Sequence, residues 1–150
     1  MENPTDIEII LIEDNPFDAE LTLRALEKKG LAGKVKVFAS GVEALDYLFG
    51  HGDYSLTDVT ASSMPPKVIF LDLKLPKMNG LEVLSQIKNN QRTRLIPVVM
   101  LTSSQEESDI LESYRLGVNS YMVKPVDYEK FLQAVEDLGI YWLLRNRATV

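Results

Sequence analysis

Short, strongly apolar runs alternate along this chain with stretches whose apolar positions recur every three or four residues. Residues 7–12 (IEIILI), 34–39 (KVKVFA), 68–71 (VIFL), 96–101 (IPVVML) and 120–123 (SYMV) are rich in β-branched and aromatic residues and predict five strands. Between them lie helix-period segments. In NPFDAELTLRALEKKG, Asn15 suits the N-cap, Pro16 the first turn and Gly30 the stop. Phe17, Leu21 and Ala25 share one face of that helix, with Leu23 and Leu26 close by. GVEALDYLFG predicts a short helix with Val42, Leu45, Leu48 and Phe49 apolar, and a third helix runs from about Leu81 to Lys88. SQEESDILESYRLG opens a fourth with acids that complement the helix dipole, and the chain after residue 123 supplies a last one. Five β–α units with continuous apolar strands predict an α/β fold, a parallel sheet covered on both faces, with the second strand at an edge.

Two segments depart from this rhythm. Residues 50–66 (GHGDYSLTDVTASSMPP) have little periodicity and several turn formers, and predict a surface loop inserted before the third strand. At the other end, Phe131, Val135, Leu138 and Trp142 recur at helical spacing and are expected over the core. Ile140, Tyr141, Leu143 and Leu144 add apolar area on other faces of the extended tail at about 138–150, more than one sheet buries, and predict a homodimer interface there.

Composition narrows the function classes. At 150 residues the chain suits one domain with a single core. The net charge of −6, with no run of Lys and Arg, argues against direct nucleic-acid binding and against anionic membrane surfaces. The absence of cysteine excludes disulfides, thiolate metal sites and cysteine nucleophiles. His51 is the only histidine, which rules out a multi-histidine metal site. The polar, acidic start MENPTD is unlike a secretory signal, and no apolar run approaches membrane-spanning length, so a cytoplasmic protein is expected.

In an open parallel α/β sheet, sites form beyond the carboxyl ends of the strands. Glu13 and Asp14 follow the first strand, Asp72 the third, Thr102 and Ser103 the fourth, and Lys124 and Pro125 the fifth. Any one of these is more often a cap or a solvated side chain. Five polar groups at the same end of the sheet make a site the better reading. Three clustered carboxylates repel one another unless a cation intervenes, and with no Cys and no usable His that cation must take oxygen ligands. Mg2+ fits, held by Glu13, Asp14 and Asp72, with the backbone carbonyl of Lys74 as a further donor. Asp72 can then act as a nucleophile toward phosphorus, with Lys124 and the Thr102 hydroxyl covering the remaining phosphoryl oxygens.

These residues resemble the receiver domain of two-component response regulators. The matching pieces are LIEDN (11–15), IFLDLKLPKMNG (69–80), VVMLTSS (98–104) and YMVKP (121–125), in family order, within a likeness spanning about residues 7–137. The resemblance implies a (βα)5 flavodoxin-like doubly wound sheet of strand order 2-1-3-4-5. It implies that Asp72 accepts a phosphoryl group from a histidine kinase, that Glu13 and Asp14 hold Mg2+, and that Thr102 and Lys124 sense the phosphate. Tyr121 matches the switch aromatic, the Lys124–Pro125 bond is expected cis, and Lys74 and Ser104 match positions that influence dephosphorylation. Such a chain is a signalling phosphoacceptor rather than an enzyme, although it assists its own phosphorylation and dephosphorylation. The loop at 50–66 and the ending FLQAVEDLGIYWLLRNRATV narrow the likeness to the stand-alone regulators of cyanobacterial phytochromes, which implies a light-sensing histidine kinase as partner. Too little chain follows the fifth helix for an output domain, so the expected readout is a partner protein or self-association.

Three alternative classes fit the sequence less well. An aspartate-nucleophile phosphatase wants a second acid two residues past the nucleophile, where Lys74 stands. A flavodoxin-like flavin binder needs a Ser/Thr/Gly phosphate loop after the first strand, where EDNPFDAE would repel phosphate. A phosphorylation-independent receiver-like binding module would lack part of the acidic site, and all five groups are present.

Overall fold

The apolar runs pair as five parallel strands. In the computed structural model, which describes residues 8–27, 35–50, 66–124, 129, 130 and 133, these are β1 (Ile9–Ile12), β2 (Val35–Phe38), β3 (Val68–Leu71), β4 (Val98–Thr102) and β5 (Ser120–Val123). The sheet order is β2-β1-β3-β4-β5, as expected. In register, Ile9 lies between Val35 and Val68, and Met100 lies opposite Tyr121. The described helices are α1 (Pro16–Glu27), α2 (Gly41–Phe49), α3 (Gly80–Lys88) and α4 (Glu107–Arg115).

Strand periodicity divides the core into two layers. Ile10, Ile12, Ile69, Leu71, Val98 and Met100 face α2 and α3, where Leu45, Leu48, Val83, Leu84 and Ile87 meet them. The alternate residues Ile9, Leu11, Val68, Phe70, Val99 and Leu101 face α1 through Ala19, Ala25 and Leu26. Every residue of β1, β3 and β4 is buried. Each such side chain contributes about 1.5–3 kcal/mol by leaving water.

The buried stripe of α1 differs from the one the apolar spacing suggests. It consists of Ala19, Thr22, Ala25 and Leu26, while Phe17 is 67% and Leu21 38% exposed. That stripe packs against Ile9, Leu11, Val68, Phe70, Val99 and Leu101 of the sheet. The Asn15 cap holds as expected, its side-chain oxygen accepting from the Asp18 N–H at 3.0 Å. On α2, Ala44 joins Leu45 and Leu48 in the core, and Val42 turns outward.

The loop at 50–66 from His51 on to Pro65, the Lys124–Pro125 bond, and Ile140, Tyr141, Leu143 and Leu144 lie outside the described residues.

Candidate functional site

Glu13 and Asp72 are each the first residue past a central strand, and the backbone of the neighbouring strand pins each one. The Glu13 N–H donates to the Phe38 carbonyl at 2.9 Å, and the Asp72 N–H to the Ile12 carbonyl at 3.0 Å. Both are buried, and Asp14 beside them is exposed. Backbone N–H groups then orient the carboxylates, Asn15 donating to Glu13 Oε2 and Lys74 to Asp72 Oδ1, both at 3.2 Å. The loop after Asp72 folds back on it, with the Gly80 N–H donating to the Leu73 carbonyl at 2.7 Å.

Lys124 reaches this cluster from the end of β5, where its N–H donates to the Thr102 carbonyl at 2.8 Å. Its Nζ lies 2.5 Å from Glu13 Oε1, 3.0 Å from Asp18 Oδ2 and 3.4 Å from Asp72 Oδ2. One ammonium therefore serves three carboxylates. Burial opposes its charge, but the hydrogen bonds to Glu13 and Asp18 and the charges of Asp72 and Glu13 together outweigh it and raise the Lys124 pKa above the usual lysine range. Glu13 moves the other way in charge: burial, with Asp72 alongside and against the pull of Lys124, pushes its pKa up to about 7. The cluster is short of positive charge.

The fourth strand brings a hydroxyl to the same rim. Thr102 is fully buried, and its Oγ1 accepts from the Ser104 N–H at 3.3 Å. Ser104 ties the start of α4, its hydroxyl donating to Asp109 Oδ2 at 2.5 Å and accepting from the Glu106 N–H at 3.3 Å. Glu106 occupies the N-cap position of α4 without a side-chain cap of its own, and Ser104 instead ties the N-cap backbone to the Asp109 side chain in the first turn. The Tyr121 hydroxyl donates to the Ser104 carbonyl oxygen at 3.1 Å, and burial of the ring raises its pKa. Tyr121 on β5 is thus linked through one residue to Thr102 on β4.

The donor set fits a hard divalent cation. Glu13, Asp14 and Asp72 each present a carboxylate oxygen, and these oxygens lie within 4.8 Å of one another. All are oxygen donors, two are held by backbone N–H groups, and the surplus negative charge matches what such an ion neutralises. The structure brings together Glu13, Asp14, Asp72 and Lys124, and places Thr102 at the end of the neighbouring strand β4, its hydroxyl turned to the Ser104 N–H. Lys74 meets the cluster through its N–H, on the Asp72 carboxylate, whereas the expectation was for its carbonyl as a metal donor.

Asp18 was not singled out from sequence, where it reads as an ordinary acid in the first turn of a helix. Its signal was position: three residues past the capping Asn15, it sits on the turn that faces the rim.

The family model for the response regulator receiver domain matches residues 9–136. Among curated proteins, the chain is 44% identical to the probable methanogenesis regulatory protein FilR2 of Methanothrix harundinacea, over 93% of this chain and 86% of that one. It is 35% identical to the response regulator Rcp1 of Synechocystis, over 94% and 91%. Among solved structures, the bacteriophytochrome response regulator RtBRR is 54% identical with a TM-score of 0.78, over 91% of this chain and 80% of that one. The phosphorylated cyanobacterial phytochrome response regulator RcpA is 38% identical with a TM-score of 0.74, over 92% and 94%. The Mn(2+)-bound form of Rcp1 is 34% identical with a TM-score of 0.72, over 93% and 95%. Fold, rim and relatives agree: the chain belongs to the response regulator receiver domain family of two-component systems and is similar to the phytochrome response regulators.

Proposed function

We propose that this chain is a cytoplasmic phosphoacceptor whose Asp72 takes a phosphoryl group from a sensor histidine kinase of the phytochrome type. The observation that carries the reading is the convergence of Glu13, Asp14, Asp72, Thr102 and Lys124 on one rim, the first four following or ending the buried strands β1, β3 and β4 and Lys124 following β5. The relatives support it, one solved in a phosphorylated form and one with Mn2+ bound.

The transfer is a displacement at phosphorus. An Asp72 oxygen forms the new P–O bond as the P–N bond of the kinase phosphohistidine breaks, and the electron pair returns to the imidazole nitrogen. Glu13, Asp14 and Asp72 would hold Mg2+, which when bound neutralises charge on the phosphoryl oxygens. The Lys74 N–H at 3.2 Å from Oδ1 fixes the rotation of the Asp72 carboxylate. Lys124 places an ammonium beside its other oxygen, and the Thr102 hydroxyl, buried next to the rim, is the group that the transferred phosphoryl draws inward. Tyr121 shares Ser104 with Thr102, so movement of that hydroxyl reshapes the surface of α4 and β5, the proposed docking face for a partner protein.

The test is phosphotransfer from an autophosphorylated histidine kinase core of the phytochrome type. Label should appear on this chain, be labile in base as an acyl phosphate is, and vanish when divalent cation is chelated. No transfer, with binding to the kinase or another protein unchanged by phosphodonors, would make this a phosphorylation-independent binding module.

A further inference from the structure

Lys124 has three carboxylate partners, and they are not equivalent. Glu13 and Asp72 belong to the set of oxygens that fits a divalent cation, and Asp18 does not. Asp18 stands on the first turn of α1, its N–H held by the Asn15 cap at 3.0 Å, and its side chain is 32% exposed. Its Oδ2 lies closer to Nζ than the acceptor does, 3.0 Å against 3.4 Å. An ammonium has three N–H donors, and here each has a carboxylate. A cation that claims Glu13 and Asp72 leaves Lys124 with Asp18 as its one remaining partner among these three.

We infer that Asp18 is a positioning residue for phosphoryl transfer: it anchors the Lys124 ammonium over the rim when the metal set is occupied, leaving its other N–H donors for the phosphoryl oxygens. The inference rests on the reading of Asp72 as acceptor. The capped first turn makes the anchor stiff, so the lysine need not lose the freedom of a long side chain at the moment of transfer. Asp18 touches neither phosphorus nor metal in this role. It adds no step to the displacement at Asp72, in which acetate leaves when acetyl phosphate is the donor and the P–O bond to acetate breaks.

The test compares wild type, Asp18→Asn and Asp18→Glu in saturation kinetics with acetyl phosphate, alongside Mg2+ titration by calorimetry. Asp18→Asn should lower the maximal phosphorylation rate about tenfold, the scale of one charge-assisted hydrogen bond. Its Mg2+ affinity should stay within about twofold, because only a charge outside the ligand set has gone. Asp18→Glu should restore much of the rate, since the half-exposed position has room for the longer carboxylate. A wild-type rate in Asp18→Asn overturns the inference, as does a lost rate matched by an equal loss of Mg2+ affinity. A second readout needs no phosphorylation. With Mg2+ bound, the 15Nζ resonance of Lys124 should be protected from exchange in wild type and broadened in Asp18→Asn, and equal protection in both would overturn the anchor. A wild type that takes no phosphoryl group at all defeats the acceptor reading instead, while the lysine resonance still judges the anchor.

Discussion

Gly80 lies against the backbone of Asp72: a Cβ placed on it would meet the Asp72 carbonyl oxygen at 2.3 Å and the Leu73 Cα at 2.6 Å. Both obstacles are main chain and cannot swing aside. The close approach is what lets the Gly80 N–H reach the Leu73 carbonyl and turns the loop tightly behind Asp72. Gly80→Ala should therefore cost about 2–3 kcal/mol of stability by overpacking. It should also slow phosphorylation by moving the Asp72 carboxylate. Urea unfolding and phosphorylation kinetics on the same variant check both.

Removing the ammonium should expose the charge imbalance of the rim. Lys124→Ala leaves buried Glu13 and Asp72 without their shared partner, at a cost of about 2–3 kcal/mol. The pKa of Glu13 should rise further, because the hydrogen bond from Lys124 is what lowers it now. A carboxyl 13C titration by NMR reads the shift, and Mg2+ should recover part of the lost stability.

Acidity should govern the metal-free and metal-bound protein in opposite directions. The folded pKa of Glu13, about 7, lies above its ordinary value of 4.5, so the folded state holds that proton more tightly than the unfolded state. Its contribution to stability is full below about pH 4.5 and is lost as pH rises to about 7. Cation binding needs the ionised carboxylate, so Mg2+ affinity should climb up to about tenfold per unit below pH 7 and level off above it. Melting scans with and without Mg2+ should show the larger stabilisation at pH 8 than at pH 6. An equal shift at both would refute the assignment to Glu13.

Thr102→Val keeps the shape of a fully buried side chain but removes the acceptor of the Ser104 N–H. An orphaned buried N–H costs about 1–2 kcal/mol. Phosphorylation at Asp72 should still occur, while the Tyr121 ring resonances, which should move on phosphorylation of the wild type, stay at their resting positions. Ring shifts of wild-type size in the variant would separate Tyr121 from Thr102.

The strands and the rim were legible because both follow from short-range chemistry. A run such as Val68–Leu71 has one environment that suits it, a sheet covered on both faces, and the residue after it must then emerge at a strand end. That reasoning placed Glu13, Asp72, Thr102 and Lys124 on one edge, where the structure has them. It could not find Asp18, whose role depends on how α1 is rotated over the sheet. It misjudged the same rotation from Phe17 and Leu21, since apolar spacing ranks large residues first. The buried stripe runs instead through Ala19, Thr22, Ala25 and Leu26. The tie at Ser104 was equally hidden, because it joins the loop after β4 to the Asp109 side chain in the first turn of α4.

The most direct test of the acceptor is the intact mass of the chain after incubation with acetyl phosphate, with and without Mg2+, for wild type and Asp72→Asn. The account predicts one added phosphoryl group on the wild type with Mg2+, and none when either Asp72 or the cation is missing. An adduct that persists in Asp72→Asn, or a wild type left unmodified by acetyl phosphate and by a histidine kinase alike, would contradict it.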